Sequence, residues 1–167
     1  TGDILDIGCA QGVFLKYFKK EFPFSKILGI DTSKDLINRA KKLNLKDTIF
    51  KKKDFLDIKK KKFDLVTAAG VLGYYDNYQK PLSKMISLLK NGGNLIIFSH
   101  LNSYNIDTIV RFRNNTNCNK WERGLNSYSI HTIKNFLKKK KINYKFVKFN
   151  IPIKLKPQKN PIISYTI

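Results

Sequence analysis

Short apolar runs alternate with stretches of helical spacing along the first hundred residues, and this alternation limits the fold more than any other feature. Ile4-Leu5-Asp6-Ile7 reads as a buried strand. Val13, Phe14, Tyr17 and Phe18 then follow a helical spacing, and Pro23 ends that helix. Ile27 to Ile30 forms a second strand ending at Asp31, and Ser33 caps a helix that turns Leu36, Ile37 and Ala40 inward. Thr48 to Phe50 and Phe63 to Ala69 are the third and fourth strands. A helix from about Tyr78 to Leu89 closes at Asn91-Gly92-Gly93, and Asn94 to Ser99 is the fifth strand. This order predicts an α/β fold, a mostly parallel sheet with helices on both faces. The third-to-fourth connection is short, so its crossover helix is expected to be reduced or absent. Ser129 caps a late helix to about Lys140. Tyr144 to Asn150 and Pro161 to Ile167 read as closing strands, so the sheet is expected to close with an antiparallel strand.

The 167 residues suit one domain, 1–167, with no internal repeat. Residues 101–128 are polar and asparagine-rich, an inserted lid or substrate-binding segment. The chain opens two residues before its first apolar run, so further residues upstream of Thr1 are expected. No apolar run reaches the roughly 18 residues of a membrane span. Cys9 and Cys118 stand in no metal-ligand spacing, so neither a zinc site nor a disulfide framework is expected, and a reducing cytoplasm is the natural setting.

The net charge is +21, from 33 basic and 12 acidic residues. Such a balance suits a nucleic-acid or anionic-membrane partner. However, only Arg39, Arg111, Arg113 and Arg123 among the basic residues are not lysine, and Asn and Ile are abundant too. Lys, Asn and Ile share A/T-rich codons, whereas nucleic-acid sites favour the planar arginine fork. Compositional bias is the preferred reading, with a nucleic-acid partner second.

Asp6-Ile7-Gly8-Cys9-Ala10-Gln11-Gly12 carries a strand through a glycine turn into a helix. Ligands of open parallel sheets bind beyond the carboxyl ends of strands, where this turn lies. Asp31, about twenty residues on, can accept hydrogen bonds from both hydroxyls of a ribose. A dinucleotide site would show the same acid, but its G-x-G-x-x-G turn differs from the G-x-x-x-G here.

Several blocks in order resemble the class I S-adenosylmethionine-dependent methyltransferases, a Rossmann-like family. They are Ile4 to Gly12, Gly29-Ile30-Asp31, Asp54-Phe55, Phe63-Asp64-Leu65-Val66 with Ala69-Gly70-Val71-Leu72, and Leu88 to Ile97. Tyr128-Ser129-Ile130-His131-Thr132-Ile133 resembles a late helix start of the family more loosely. The resemblance implies S-adenosylmethionine as cofactor, released as S-adenosylhomocysteine. It implies that Asp6 orders the turn near the cofactor's amino-acid end, and that Gly8, Ala10 and Gly12 line its methionine and ribose. It places Asp31 on the ribose, Asp54 and Phe55 on the adenine, and Ala69 near the sulfonium. Ala10 departs from the glycine often found at its position.

The sulfonium methyl is electrophilic, so alignment of an acceptor for in-line displacement is the main catalytic task. A hydroxyl acceptor also needs a base. His100, just after the fifth strand, is the candidate. Tyr74, Tyr75, Trp121, Arg123, Asn126 and His131 are candidate acceptor contacts, and each also suits a plain anchoring role. The residues after strand four lack the Asn/Asp-Pro-Pro-aromatic signature of enzymes that methylate base amino groups. A small-molecule or glycan acceptor, methylated at oxygen, is the leading reading. An RNA methyltransferase and a catalytically inactive binding protein of the same fold are the alternatives.

Overall fold

The structure, a computed structural model, describes residues 2–59, 62–113, 115–116 and 120–148. Its contacts divide into two compact units, Thr1–Leu72 with Asn77–Phe98, and Gly73–Asp76 with Ser99–Ile167.

The first unit is built on β1 (Asp3–Ile7), β2 (Lys26–Asp31), β3 (Thr48–Lys52), β4 (Phe63–Ala69) and β5 (Leu89–Phe98). They form one sheet in the order β3-β2-β1-β4-β5, with every pairing parallel. Strand alternation assigns the faces. Ile4 pairs with Ile27, which pairs with Thr48, and Gly29 pairs with Phe50. This face packs against α1 (Val13–Glu21) and α2 (Lys34–Lys41) in a core of Ile4, Leu15, Phe18, Ile27, Ile37 and Phe50. Leu5, Ile7, Ile30 and Val66 point the other way and are equally buried. On that side α3 (Gln79–Ser87) lies against β5 and buries Leu82 and Met85. Ser33 caps α2 as expected, its Oγ accepting the Leu36 N–H at 3.3 Å.

The connection from β3 to β4 has no α-helix among its described residues, only a 3-10 turn at Phe55–Asp57. Ile49 stays 56% exposed as a result. A cleft of about 330 Å³ opens there beside Lys26, Leu28 and Thr48. It lies at the amino ends of the strands, away from the glycine turn.

Two boundaries differ from the sequence expectation. The helix before β5 ends at Ser87, and pairing resumes at once: Leu89 stands opposite Phe63, then Asn94 opposite Leu65. Asn91-Gly92-Gly93 therefore forms a bulge within β5 rather than a helix cap, with Gly92 at φ +75°. Tyr144 to Lys148 carry no strand, and the remainder of the two expected closing strands lies outside the described residues.

The second unit has α4 (Ile130–Lys139), capped by Ser129, whose Oγ accepts the His131 N–H at 3.1 Å. The segment read as an inserted lid or substrate-binding segment contains short pairings. β6 (Leu101–Asn102) runs parallel to β9 (Tyr128–Ser129), and β7 (Arg111–Phe112) pairs antiparallel with β8 (Glu122–Arg123). No helix among the described residues is long and apolar enough to cross a membrane.

Candidate cofactor site

The turn after β1 takes three left-handed residues, Gly8 at φ +70°, Ala10 at +46° and Gly12 at +81°. Gly8 N–H and Cys9 N–H both donate to the Ile30 carbonyl at 2.9 Å, which holds the turn against the end of β2. The Gly8 position is close-packed, since a Cβ there would stand 2.6 Å from a methyl of Val71. Gly12 leads into α1, whose N-terminus has no side-chain cap. Ala10 occupies a conformation that costs an L-residue about 1 kcal/mol. Asp31 holds it there: Oδ2 accepts the Ala10 N–H at 3.0 Å while Oδ1 accepts the Ser33 N–H at 2.9 Å. Each oxygen keeps a lone pair for a further donor.

Asp6 lies on the face of β1 toward α1 and is only 2% exposed. Its register partner on β4 is Thr67, whose hydroxyl donates to Asp6 Oδ1 at 2.6 Å. Burial pushes the Asp6 carboxyl up to about 6, against the Thr67 hydrogen bond and with help from the Asp31 charge. Burial also pushes the Cys9 thiol up to about 12, and the Asp6 and Asp31 charges add to this. Cys9 therefore stays a neutral core side chain. Neither Asp6 nor Asp31 is ion-paired among the described residues, although the chain carries 33 cationic side chains.

β3 lies beside β2, with Asp31 opposite Lys52 and the Lys53 N–H donating to the Asp31 carbonyl at 2.9 Å. Asp54 follows directly, half-buried, with Oδ1 accepting the Leu56 N–H at 2.9 Å. Phe55 is buried in the core. Ala69 is exposed at the end of β4, and Gly70 N–H donates to the Phe98 carbonyl at 2.9 Å.

The remaining predicted residues belong to the second unit. His100 is exposed, and its ring has no partner among the described residues. Tyr74 is 62% exposed and Trp121 is 60% exposed. Asn126 is buried: its Nδ2 donates to the Tyr75 carbonyl at 3.0 Å and to Asp76 Oδ1 at 3.1 Å, and its Oδ1 accepts the Val110 N–H at 2.9 Å. The Tyr128 hydroxyl donates to the same Tyr75 carbonyl. His131 is exposed on the first turn of α4, with Nε2 2.8 Å from Asn135 Nδ2. Arg123 stands beside Asp76, Nε to Oδ2 at 3.4 Å.

Sequence reasoning missed Thr67 as the partner of Asp6. The signal for Thr67 was a hydroxyl residue inside an otherwise apolar buried strand.

A family model described as a methyltransferase domain matches residues 1–147. The chain belongs to this family of methyltransferase domains. It is 34% identical over 119 residues to malonyl-[acyl-carrier protein] O-methyltransferase 2 of Ilyobacter polytropus, an overlap of 66% of this chain and 42% of that protein. The plantazolicin methyltransferase BpumL, solved with S-adenosylhomocysteine, is 32% identical with a TM-score of 0.54, covering 60% of this chain and 40% of that one. The PKMT2 protein of Rickettsia typhi, also solved with S-adenosylhomocysteine, is 32% identical with a TM-score of 0.53, covering 57% and 20%. The chain thus spans less than half the length of these relatives. It is a Rossmann-like, S-adenosylmethionine-dependent methyltransferase domain.

The residues present fit that cofactor. Among the described residues neither carboxylate beside the turn is ion-paired, which suits a ligand carrying an ammonium, a sulfonium and a ribose diol. When bound, S-adenosylmethionine supplies an electrophilic methyl group. Asp31 would offer its remaining lone pairs to the ribose hydroxyls, and Asp6 would supply negative charge in a low-dielectric setting where it counts for more than in water.

Proposed function

We propose that this domain transfers a methyl group to an oxygen of a small-molecule or glycan acceptor in the cytoplasm. The observation that carries the methyl-transfer part is the Asp6–Asp31 pair, without an ion-pair partner among the described residues, beside the Gly8–Gly12 turn in a strongly cationic chain. The reading at oxygen draws on three features. The β4 exit, Gly70-Val71-Leu72-Gly73-Tyr74-Tyr75, lacks the signature for base amino groups. The Ilyobacter relative is an O-methyltransferase by name. His100 has an imidazole with no competing partner among the described residues, as a base for an acceptor hydroxyl requires.

In this reading Asp6, Gly8, Ala10, Gly12, Asp31, Asp54, Phe55 and Ala69 bind the cofactor. Tyr74, Trp121, Arg123 and His131 meet the acceptor through exposed side chains, with Tyr75 and Asn126 shaping the loop behind them.

The test is transfer of tritiated methyl from S-adenosylmethionine into a cell extract separated into RNA, protein, metabolite and polysaccharide fractions. Label in the metabolite or polysaccharide fraction, absent with Asp31→Ala, is the expected result. Ribonuclease-sensitive label in RNA would overturn the acceptor assignment. S-adenosylhomocysteine binding that is unchanged in Asp31→Ala would overturn the site.

A further inference from the structure

Lysine supplies nearly all of this chain's positive charge, yet three of its four arginines fall within the thirteen residues from Arg111 to Arg123. Arg111 and Arg123 stand directly opposite each other in the antiparallel β7–β8 ribbon. Like charges in that position repel. A single carboxylate relieves them: Asp76 Oδ2 lies 2.6 Å from Arg111 Nη2 and 3.4 Å from Arg123 Nε. Asn126, buried behind, holds the other oxygen of Asp76 at 3.1 Å. Arg113 lies two residues along from Arg111, just past the end of β7. Its guanidinium sits 5.2 Å from the centre of the Trp121 ring. The ribbon therefore presents two opposed guanidiniums against one carboxylate, with a third guanidinium beside an indole just beyond its paired residues.

The charge on this face remains unbalanced. Arg111 is committed, with Nη1 on the Val110 carbonyl at 3.0 Å and Nη2 on Asp76. Arg123 is not. Its side chain is 66% exposed, it touches Asp76 only through Nε, and its two terminal nitrogens have no partner among the described residues. These nitrogens form half of the fork that binds carboxylate and phosphate in a bidentate way. Trp121, two residues before Arg123, is 60% exposed and offers a flat apolar surface.

We propose that this ribbon face is the anchor for an anionic group of the methyl acceptor, a carboxylate or phosphate monoester next to a flat ring, with Arg123 as its principal ligand. The proposal rests on the methyltransferase reading above and narrows its acceptor class from small molecules in general to anionic ones. Asp76 occupies one side of the arginine pair and fixes its geometry, so an incoming anion takes the outward side of Arg123 without displacing a partner.

Trp121 is the chain's only tryptophan, so its emission reports on this face alone. The full chain is titrated at constant ionic strength with benzoate, with phenyl phosphate and with neutral benzamide, and S-adenosylhomocysteine binding is measured calorimetrically on the same samples. The expected result is a saturable change with at least one anion and none with benzamide; the tighter of benzoate and phenyl phosphate names the group. Arg123→Gln should weaken that binding about ten-fold or more, as loss of a charge-assisted bidentate contact does. Arg39→Gln, which removes the same charge on α2, should leave it unchanged. Arg123→Lys keeps the charge without the fork, should weaken binding too, and serves if the glutamine variant does not fold. No saturable response to either anion, an equal response to benzamide, or equal weakening in Arg39→Gln would each overturn the proposal. So would a response only to a single-stranded oligonucleotide with steep salt dependence, which would mark a nucleic-acid surface instead. Cofactor binding without an anion response would sink this inference alone. An anion response without cofactor binding would instead sink the methyltransferase reading and with it the acceptor role.

Discussion

Replacing Asp6 with Asn should make the ligand-free protein more stable at neutral pH, an unusual expectation for a residue at the heart of the proposed cofactor site. Among the described residues Asp6, 2% exposed, has one side-chain donor, Thr67 at 2.6 Å, and no cation. Burial raises its carboxyl from 3.8 to about 6. At about 1.4 kcal/mol per pH unit, that gap sets roughly 3 kcal/mol against folding when the group is charged. The direction follows from proton binding. Between 3.8 and about 6 the folded state holds the proton more tightly than the unfolded chain, so the Asp6 contribution is favourable below about 4 and is lost as pH rises through 6. Asn is nearly isosteric, can still accept from Thr67, and carries no charge. Urea unfolding of both proteins from pH 4 to 7.5 checks this. The stability difference, variant minus wild type, should grow by about 2–3 kcal/mol over that range, with most of the change between pH 4 and 6. A difference that stays constant would refute the reasoning, because it would mean that the charge on Asp6 is compensated in the fold. The same variant should lose affinity for S-adenosylhomocysteine, which separates a residue kept for ligand binding from one kept for stability.

Ala10→Gly should raise stability by about 0.5 kcal/mol, read as a higher urea midpoint, because relief of the left-handed conformation at φ +46° outweighs the extra freedom of glycine in the unfolded chain; a lowered midpoint would refute this. Gly29→Ala should cost about 1–3 kcal/mol by overpacking, since its Cβ would lie 2.6 Å from Leu15 Cδ1 and 3.0 Å from Phe50 Cδ1. Adding Leu15→Ala should then cost less than it does in the wild-type background, a non-additivity that urea titrations of the four proteins would read. Asn126→Ala removes three hydrogen bonds from a buried amide and should cost about 3 kcal/mol of the second unit's stability, followed by Trp121 emission during unfolding.

The five strands, four of the helix signals and the glycine turn were legible because each rests on local chemistry. Apolar runs of strand length, Ser33 and Ser129 as caps, and Gly8 and Gly12 at positive φ announce themselves within a few residues. The β4–β5 connection misled because Asn91-Gly92-Gly93 has the composition of a helix cap and of a bulge alike, and only pairing with Phe63 and Leu65 distinguishes them. The short pairings within residues 101–128 were invisible because two-residue strands carry no periodicity.

The sequence by itself determined that a carboxylate would end β2 near a glycine turn, since both lie at the exits of adjacent strands whose order the chain spells out. It also determined that the positive charge would be lysine nearly everywhere except in one segment. Only the tertiary structure decided that Asp6 is buried against Thr67, 61 residues away, with no cation beside it among the described residues. Likewise, only strand register set Arg111 opposite Arg123 with Asp76 between them. Charges act through space and burial, and neither is encoded in the spacing of residues along the chain.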